Sequence, residues 1–279
     1  MRCQYIEVTK VLRLVNIILA LFLIAGCKKE MTLKDQADFT LPLLEQNAID
    51  KLAREKVFFG HMSVGYDILN GLEDLKVHNI QLRSIRIKGF TAPDEIDGPG
   101  IYHAAIGWNG FPNNKIDSFI NMLKQDNLGN KIDIAFFKFC YVDFNRESNP
   151  EEIFDYYVKT MESLKKDFPN LKILHVTVPL HVHSWGLRSF VKNIIMGDLD
   201  NIKRNEFNKL LLKKYGTTDP IFDLGRVEST LPDGGSSGFN YNGQFYFSLS
   251  RSYTIDGGHL NVLGRLAAAK ELLALLCRI

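Results

Sequence analysis

Between residues 51 and 279, short apolar runs alternate with longer stretches of helical period, and this alternation constrains the fold more than any other feature. "KVFF" (56–59) reads as a buried strand, and "IQLRSIRI" (80–87) alternates apolar and polar residues as a half-buried strand would. "IDIAFFKF" (132–139) is an unbroken apolar run, the pattern of a central parallel strand covered on both faces. "LKILHVTVP" (171–179) gives a further core strand and "PIFDL" (220–224) a short fifth one. Between them lie "VGYDILNGLEDL", "KIDSFINMLKQ", "EEIFDYYVKTMESLKKDF" and "IKRNEFNKLLLKKYG", and "HLNVLGRLAAAKELLALL" closes the chain. Asn149-Pro150 opens the third helix and Pro169 follows it; Gly216 ends the fourth. Strands separated by helices predict βαβ units: a three-layer α/β/α sandwich on a mostly parallel five-stranded sheet. Two segments, 88–114 and 224–255, are long and turn-rich, and such loops gather at the carboxyl ends of the strands, where open α/β sheets bind ligands.

The first residues follow a different rule. Arg2, Lys10 and Arg13 form a basic leader before the apolar stretch "LVNIILALFLIAG" (14–26). That length suits a secretory signal better than a membrane-spanning helix, which needs about 20 apolar residues. Its end, "LIAGC", is similar to the lipobox of bacterial lipoproteins, where small residues precede the scissile bond and a thiol carries the lipid. The expectation is therefore a signal peptide over 1–26, lipidation on Cys27, a tether and leading segment over 27–50, and one domain over 51–279. The mature protein would be exported and lipid-anchored in a bacterial cell envelope, at the outer membrane or cell surface. Cys140 and Cys277 then remain, and their apolar surroundings predict two buried free thiols. A net charge of +2 without any dense Lys/Arg tract disfavours binding to nucleic acid.

In "VFFGHMSVGYDIL" (57–69), Ser63 stands where the first strand ends and the first helix begins. The position suits a helix N-cap, which Ser often fills, and equally a nucleophile at the sheet edge with free helix N–H groups beside it. "SYTIDGGHLNVLGRLAAA" (252–269) bears on the choice: Asp256 and His259 are linked across two glycines just before a helix. A carboxylate so placed can orient an imidazole and stabilise its charged form, while the imidazole takes a proton from a hydroxyl.

Together, the early strand-to-helix Ser, the late Asp-x-x-His before "LNVLGRLAAA", and the alternating β/α units resemble the SGNH/GDSL hydrolases. The resemblance spans residues 56–277. It implies a flavodoxin-like sandwich and a serine esterase with Ser63 as nucleophile, His259 as general base and Asp256 as its orienting acid, with no metal or organic cofactor. The first block departs from the family pattern: His61-Met62-Ser63 stands where the family usually has Gly-Asp-Ser. The family's oxyanion hole uses the Ser N–H, a Gly from the second block and an Asn from the third. In "AAIGWNGFPNNKIDSF" (104–119) the second-block counterpart is Gly107, with Gly110 in reserve. In "KFCYVDF" (138–144), Cys140 and Val142 replace the third block's Gly and Asn, and only Asp143 matches. Valine has no side-chain donor, so Asn109 is the candidate substitute. Implied substrates are small esters or acylated, above all acetylated, glycans. A non-catalytic glycan-binding lipoprotein and an O-acyltransferase using the same residues are the alternatives.

Other features read more plainly. His175, His181 and His183 crowd "HVTVPLHVH" without an acidic neighbour in sequence, so they are expected to face solvent or substrate rather than a metal. His61 and His103 are candidates to line the cleft. "LPDGGSSG" lacks the context of a phosphate loop, and "FNYNGQFYF" (239–247) is expected to pack as a hairpin or to stack on sugar.

Overall fold

The computed structural model describes residues 33, 37–183, 197–231 and 233–279; the leader and Cys27 lie outside them. The domain runs from Ala37 to Ile279. In chain order it contains α1 (Gln46–Leu52), β1 (Lys56–His61), α2 (Val64–His78), β2 (Ile87–Gly89), β3 (Gly100–Ala105), α3 (Pro112–Lys124) and β4 (Ile134–Phe137). There follow α4 (Pro150–Asp167), β5 (Lys172–Ile173), β6 (His175–Val176), α5 (Gly197–Tyr215), β7 (Ile221–Phe222), α6 (Leu224–Ser229), the hairpin β8 (Gly238–Tyr241) and β9 (Gln244–Phe247), and α7 (Val262–Arg278). Among them no helix is long and apolar enough to cross a membrane.

Five strands form a parallel sheet in the order β2-β3-β1-β4-β5, and β6 pairs with β7. Successive side chains of a strand face opposite sides, which divides β1 between two cores. Val57 and Phe59 join α2 and α7 on one face, whereas Phe58 joins α3, α4 and α5 on the other. This is the expected three-layer α/β/α sandwich on a mostly parallel five-stranded sheet. The helix signals locate the helices well, and the Asn149 side chain caps α4 by accepting from the Glu152 N–H.

The strand assignments need two corrections. Residues 80–87 are not a strand: Ile80–Leu82 form a 3₁₀ turn and only Ile87–Gly89 pair. The residues buried there are Leu82 and Ile85, three apart, as one helical turn requires. Nor is 88–114 one loop, because "GIYHAA" within it forms β3 beside the central strand. Its small residues and histidine hide the strand. The segment "LKILHVTVP" is split, with the Leu174 N–H bonding Ala135 O between the two short pairings. In 224–255, α6 and the β8–β9 hairpin fill half of the length, and Phe239 and Tyr246 pack together with Ile202. Cys140 and Cys277 are both free and buried.

The helices that follow Ser63 and His259 are pressed together. A Cβ at Gly71 of α2 would lie 2.3 Å from the Arg265 carbonyl oxygen of α7. Arg265 bonds Asp74 through Nε at 2.7 Å and its terminal guanidinium nitrogen at 2.6 Å. We expect Gly71→Ala to force the helices apart and cost about 2 kcal/mol, measurable by urea unfolding. Unchanged stability would show that the seam yields freely.

Candidate active site

The site begins with the backbone of Ser63. Strand β1 delivers the chain to the carboxyl edge of the sheet, and α2 leaves it after only Met62 and Ser63, so the turn is tight. Ser63 does so at φ 52°, ψ −115°. Among the described residues, the other non-glycine residues with positive φ are Asn127 and Asn242, a residue type that tolerates it. A serine there carries strain that its surroundings must hold, on the order of 1–3 kcal/mol. Its side chain does not cap α2, so the N-cap role is not what its hydroxyl performs. Instead Ser63 Oγ lies 2.6 Å from His259 Nε2.

His259 Nδ1 is in turn 2.6 Å from Asp256 Oδ2. The other carboxylate oxygen of Asp256 accepts the Gly258 N–H at 2.9 Å and the His259 N–H at 2.8 Å. These backbone donors, with the imidazole, hold Asp256 far below the usual carboxylate range. A carboxylate held ionised can only accept, so Nδ1 carries the imidazole proton and Nε2 presents its lone pair to the Ser63 hydroxyl. Gly257, at φ 97°, makes the turn that brings Asp256 under His259, which accounts for a glycine in Asp-Gly-Gly-His. Two contacts that sequence spacing does not disclose complete the placement. The Leu260 N–H donates to Asp67 Oδ2 of α2 at 3.0 Å, and the Tyr141 ring stands edge-on to His259 at 6.1 Å.

The loop after β3 adjoins this row. The Ile106 N–H bonds His61 O, so Gly107 follows beside the Ser63 turn. Gly107 has φ 53°, and neither its N–H nor that of Ser63 bonds any described residue. Asn109 Oδ1 accepts from Lys115 Nζ at 2.8 Å. The Gly110 N–H is spent on Asp143 Oδ1 at 2.8 Å, which removes Gly110 as a donor. Val142 points outward and is exposed, while Asp143 is fully buried against Lys115.

The histidines divide. His61 is buried, its Nε2 3.1 Å from His103 Nδ1; burial pushes His61 down to about 3 and His103 in the same direction, so both are neutral. They support the floor of the site rather than its open face. His175 is buried deep, bonded to Tyr157 and stacked on Tyr215, contrary to the expectation that it faces solvent or substrate. His181 lies under Gly257, and His183 bonds Asp198. Among the described residues, no three His, Cys, Asp or Glu side chains converge as a metal would require.

The row itself stands open: the His259 and Asp256 side chains are 46% and 55% exposed. A cavity of about 950 Å³ lies elsewhere, between α5 and β9, and neither Ser63 nor His259 lines it. Exposed apolar side chains occur near these residues in the chain: Trp108 follows Gly107, Ile255 precedes Asp256, and Tyr66 is three residues after Ser63.

No family model and no curated protein matches this chain. Solved structures do. The chain is similar to the acetyl xylan esterase AlAXEase at 18% identity and TM-score 0.45, over 78% of this chain and 98% of that one. A GDSL-like lipase from Bacteroides thetaiotaomicron matches at 13% identity and TM-score 0.45, over 86% and 90%. A carbohydrate acetylesterase family member from Sinorhizobium meliloti matches at 14% identity and TM-score 0.43, over 81% and 100%.

Glu228 of α6 is wholly buried, with the Leu180 N–H on Oε2 and, among the described residues, no partner on Oε1. Burial pushes it up to about 8, against only partial relief from the nearby Lys138 and Arg204. A carboxyl whose folded pKa is raised stabilises fully below its unfolded value, near 4.5, and that contribution is lost as pH climbs through about 8. Glu228→Gln keeps the acceptor for Leu180 and cannot ionise. In urea unfolding the variant is expected to gain on the wild type steadily between about pH 5 and about pH 9. A gap that stays constant with pH would mean that folding does not shift Glu228.

Proposed function

We propose that this chain is a serine ester hydrolase, and the observation that carries the reading is the hydrogen-bonded row Ser63–His259–Asp256 on a strained strand-to-helix turn. His259 Nε2 takes the hydroxyl proton as Ser63 Oγ attacks the ester carbonyl, and Asp256 stabilises the imidazolium that results. The proton then passes to the departing alcohol. A water activated by the same nitrogen releases the acyl group and restores Ser63. The Ser63 and Gly107 N–H groups, with the Asn109 amide, receive the oxyanion. Unbonded N–H groups on adjoining turns support that assignment.

The substrate reading is an acylated glycan carrying a short acyl group such as acetyl. Half-exposed His259 and Asp256 side chains suit a small acyl group on a bulky alcohol. Trp108, 73% exposed beside Gly107, offers a ring face to a sugar. The lipobox-like "LIAGC" supports placing the enzyme outside the cytoplasm, anchored through lipid on Cys27.

With the full-length protein, Ser63→Ala is expected to lower hydrolysis of p-nitrophenyl acetate by roughly a thousandfold or more, while the fold is kept. A wild-type rate from that variant removes Ser63 as nucleophile. Trp108→Ala is expected to raise KM on an acetylated polysaccharide about fivefold and leave p-nitrophenyl acetate untouched. Equal effects on both substrates would count against sugar stacking. In cells fed radiolabelled palmitate, Cys27→Ala should abolish incorporation; persistent label would place the lipid elsewhere.

A further inference from the structure

Lys115 is a lysine with no exposed surface at all, in the first turn of α3. Its ammonium lies 2.8 Å from Asp143 Oδ2 and donates to Asn109 Oδ1, also at 2.8 Å. Its own backbone is packed against Gly107, where a Cβ would lie 2.8 Å from Lys115 Cα and Cγ. Asp143 ties the same loop from the other side, accepting the Gly110 N–H at 2.8 Å and the Cys140 N–H at 2.6 Å. One buried ion pair thus bears on every residue of the loop that the hydrolase reading uses.

An ammonium has three donors and no acceptor, so the amide facing it must present oxygen. That settles which way Asn109 is turned. Its carbonyl is committed to Lys115, and no described residue takes its NH₂.

We propose that Lys115 is the positioning residue of the oxyanion hole: it locks the amide of Asn109 with NH₂ toward the developing oxyanion and seats Gly107 beside it. Lys115 touches no substrate and acts only through those two residues. The proposal rests on the hydrolase reading above.

The test uses the full-length protein and p-nitrophenyl acetate. Lys115→Gln combined with Asp143→Asn retains a donor for Asn109 without the charge. Lys115→Met combined with Asp143→Asn removes donor and charge together, and neither pair strands a buried carboxylate. The Gln/Asn pair is expected to hold kcat about tenfold above the Met/Asn pair. The Met/Asn pair should lower kcat roughly thirtyfold with KM nearly unchanged, since an interaction made only in the transition state is lost. In an Asn109→Ala background the Met/Asn pair should add less than about twofold, because the two changes remove one function. The side-chain NH₂ signals of Asn109 in ¹⁵N spectra, assigned by their loss in Asn109→Ala, should shift in the Met/Asn pair and hold in the Gln/Asn pair. Losses that multiply with Asn109→Ala, or an Asn109 NH₂ that does not move, overturn the proposal while leaving an active wild type intact. A wild type that hydrolyses no ester and takes no fluorophosphonate on Ser63 overturns the hydrolase reading, and this proposal with it.

Discussion

The seam between α2 and α7 is the contact on which the site depends. Ser63 and His259 are 196 residues apart, and each stands at the mouth of one of these helices. Whatever sets the two helices in register sets the distance between hydroxyl and imidazole. Three features do so in sequence along the seam: Asp67 accepts the Leu260 N–H, Gly71 admits the Arg265 carbonyl, and Asp74 takes the Arg265 guanidinium. The first lies one residue from His259 and adds direction to the apolar packing that binds the helices generally. A proton transfer across 2.6 Å tolerates little slip, so a seam that cannot slide is a requirement of the chemistry rather than a by-product of packing.

The opposite wall of the site is built on another principle. The loop from Gly107 to Gly110 has no regular structure to hold it, and it owes its shape to the buried pair Lys115–Asp143. Buried ion pairs seldom repay their desolvation through stability alone. This one gains its use from geometry, since it distributes hydrogen bonds to Asn109, Gly110 and Cys140 at once. Asp143, the surviving residue of the divergent third block, therefore serves the site through the loop it anchors.

What was legible in the chain followed from short-range chemistry. "IDIAFFKF" could only be a central strand, and the helices declared themselves by period and caps. Asp256-Gly-Gly-His259 could be read because a carboxylate, a left-handed glycine and an imidazole lie within four residues of one another. What escaped was long-range or hidden by composition. "GIYHAA" became a strand because β1 and β2 flank it, not because its residues prefer one. "IQLRSIRI" alternated correctly yet folded as a turn, since burying Leu82 and Ile85 together satisfied the core better than extension. Lys115, Asp67 and Glu228 carry no local signal, because each acquires meaning only from partners far along the chain.

Ser63 leads into α2 at φ 52°, where a residue with relaxed geometry would carry no strain. The strain is borne where the hydroxyl meets His259, and the capping bond that would have offset part of its cost is not made. Asp256, half exposed, is kept ionised by the Gly258 and His259 N–H groups and by the imidazole, so the charge that orients His259 is held within one four-residue turn.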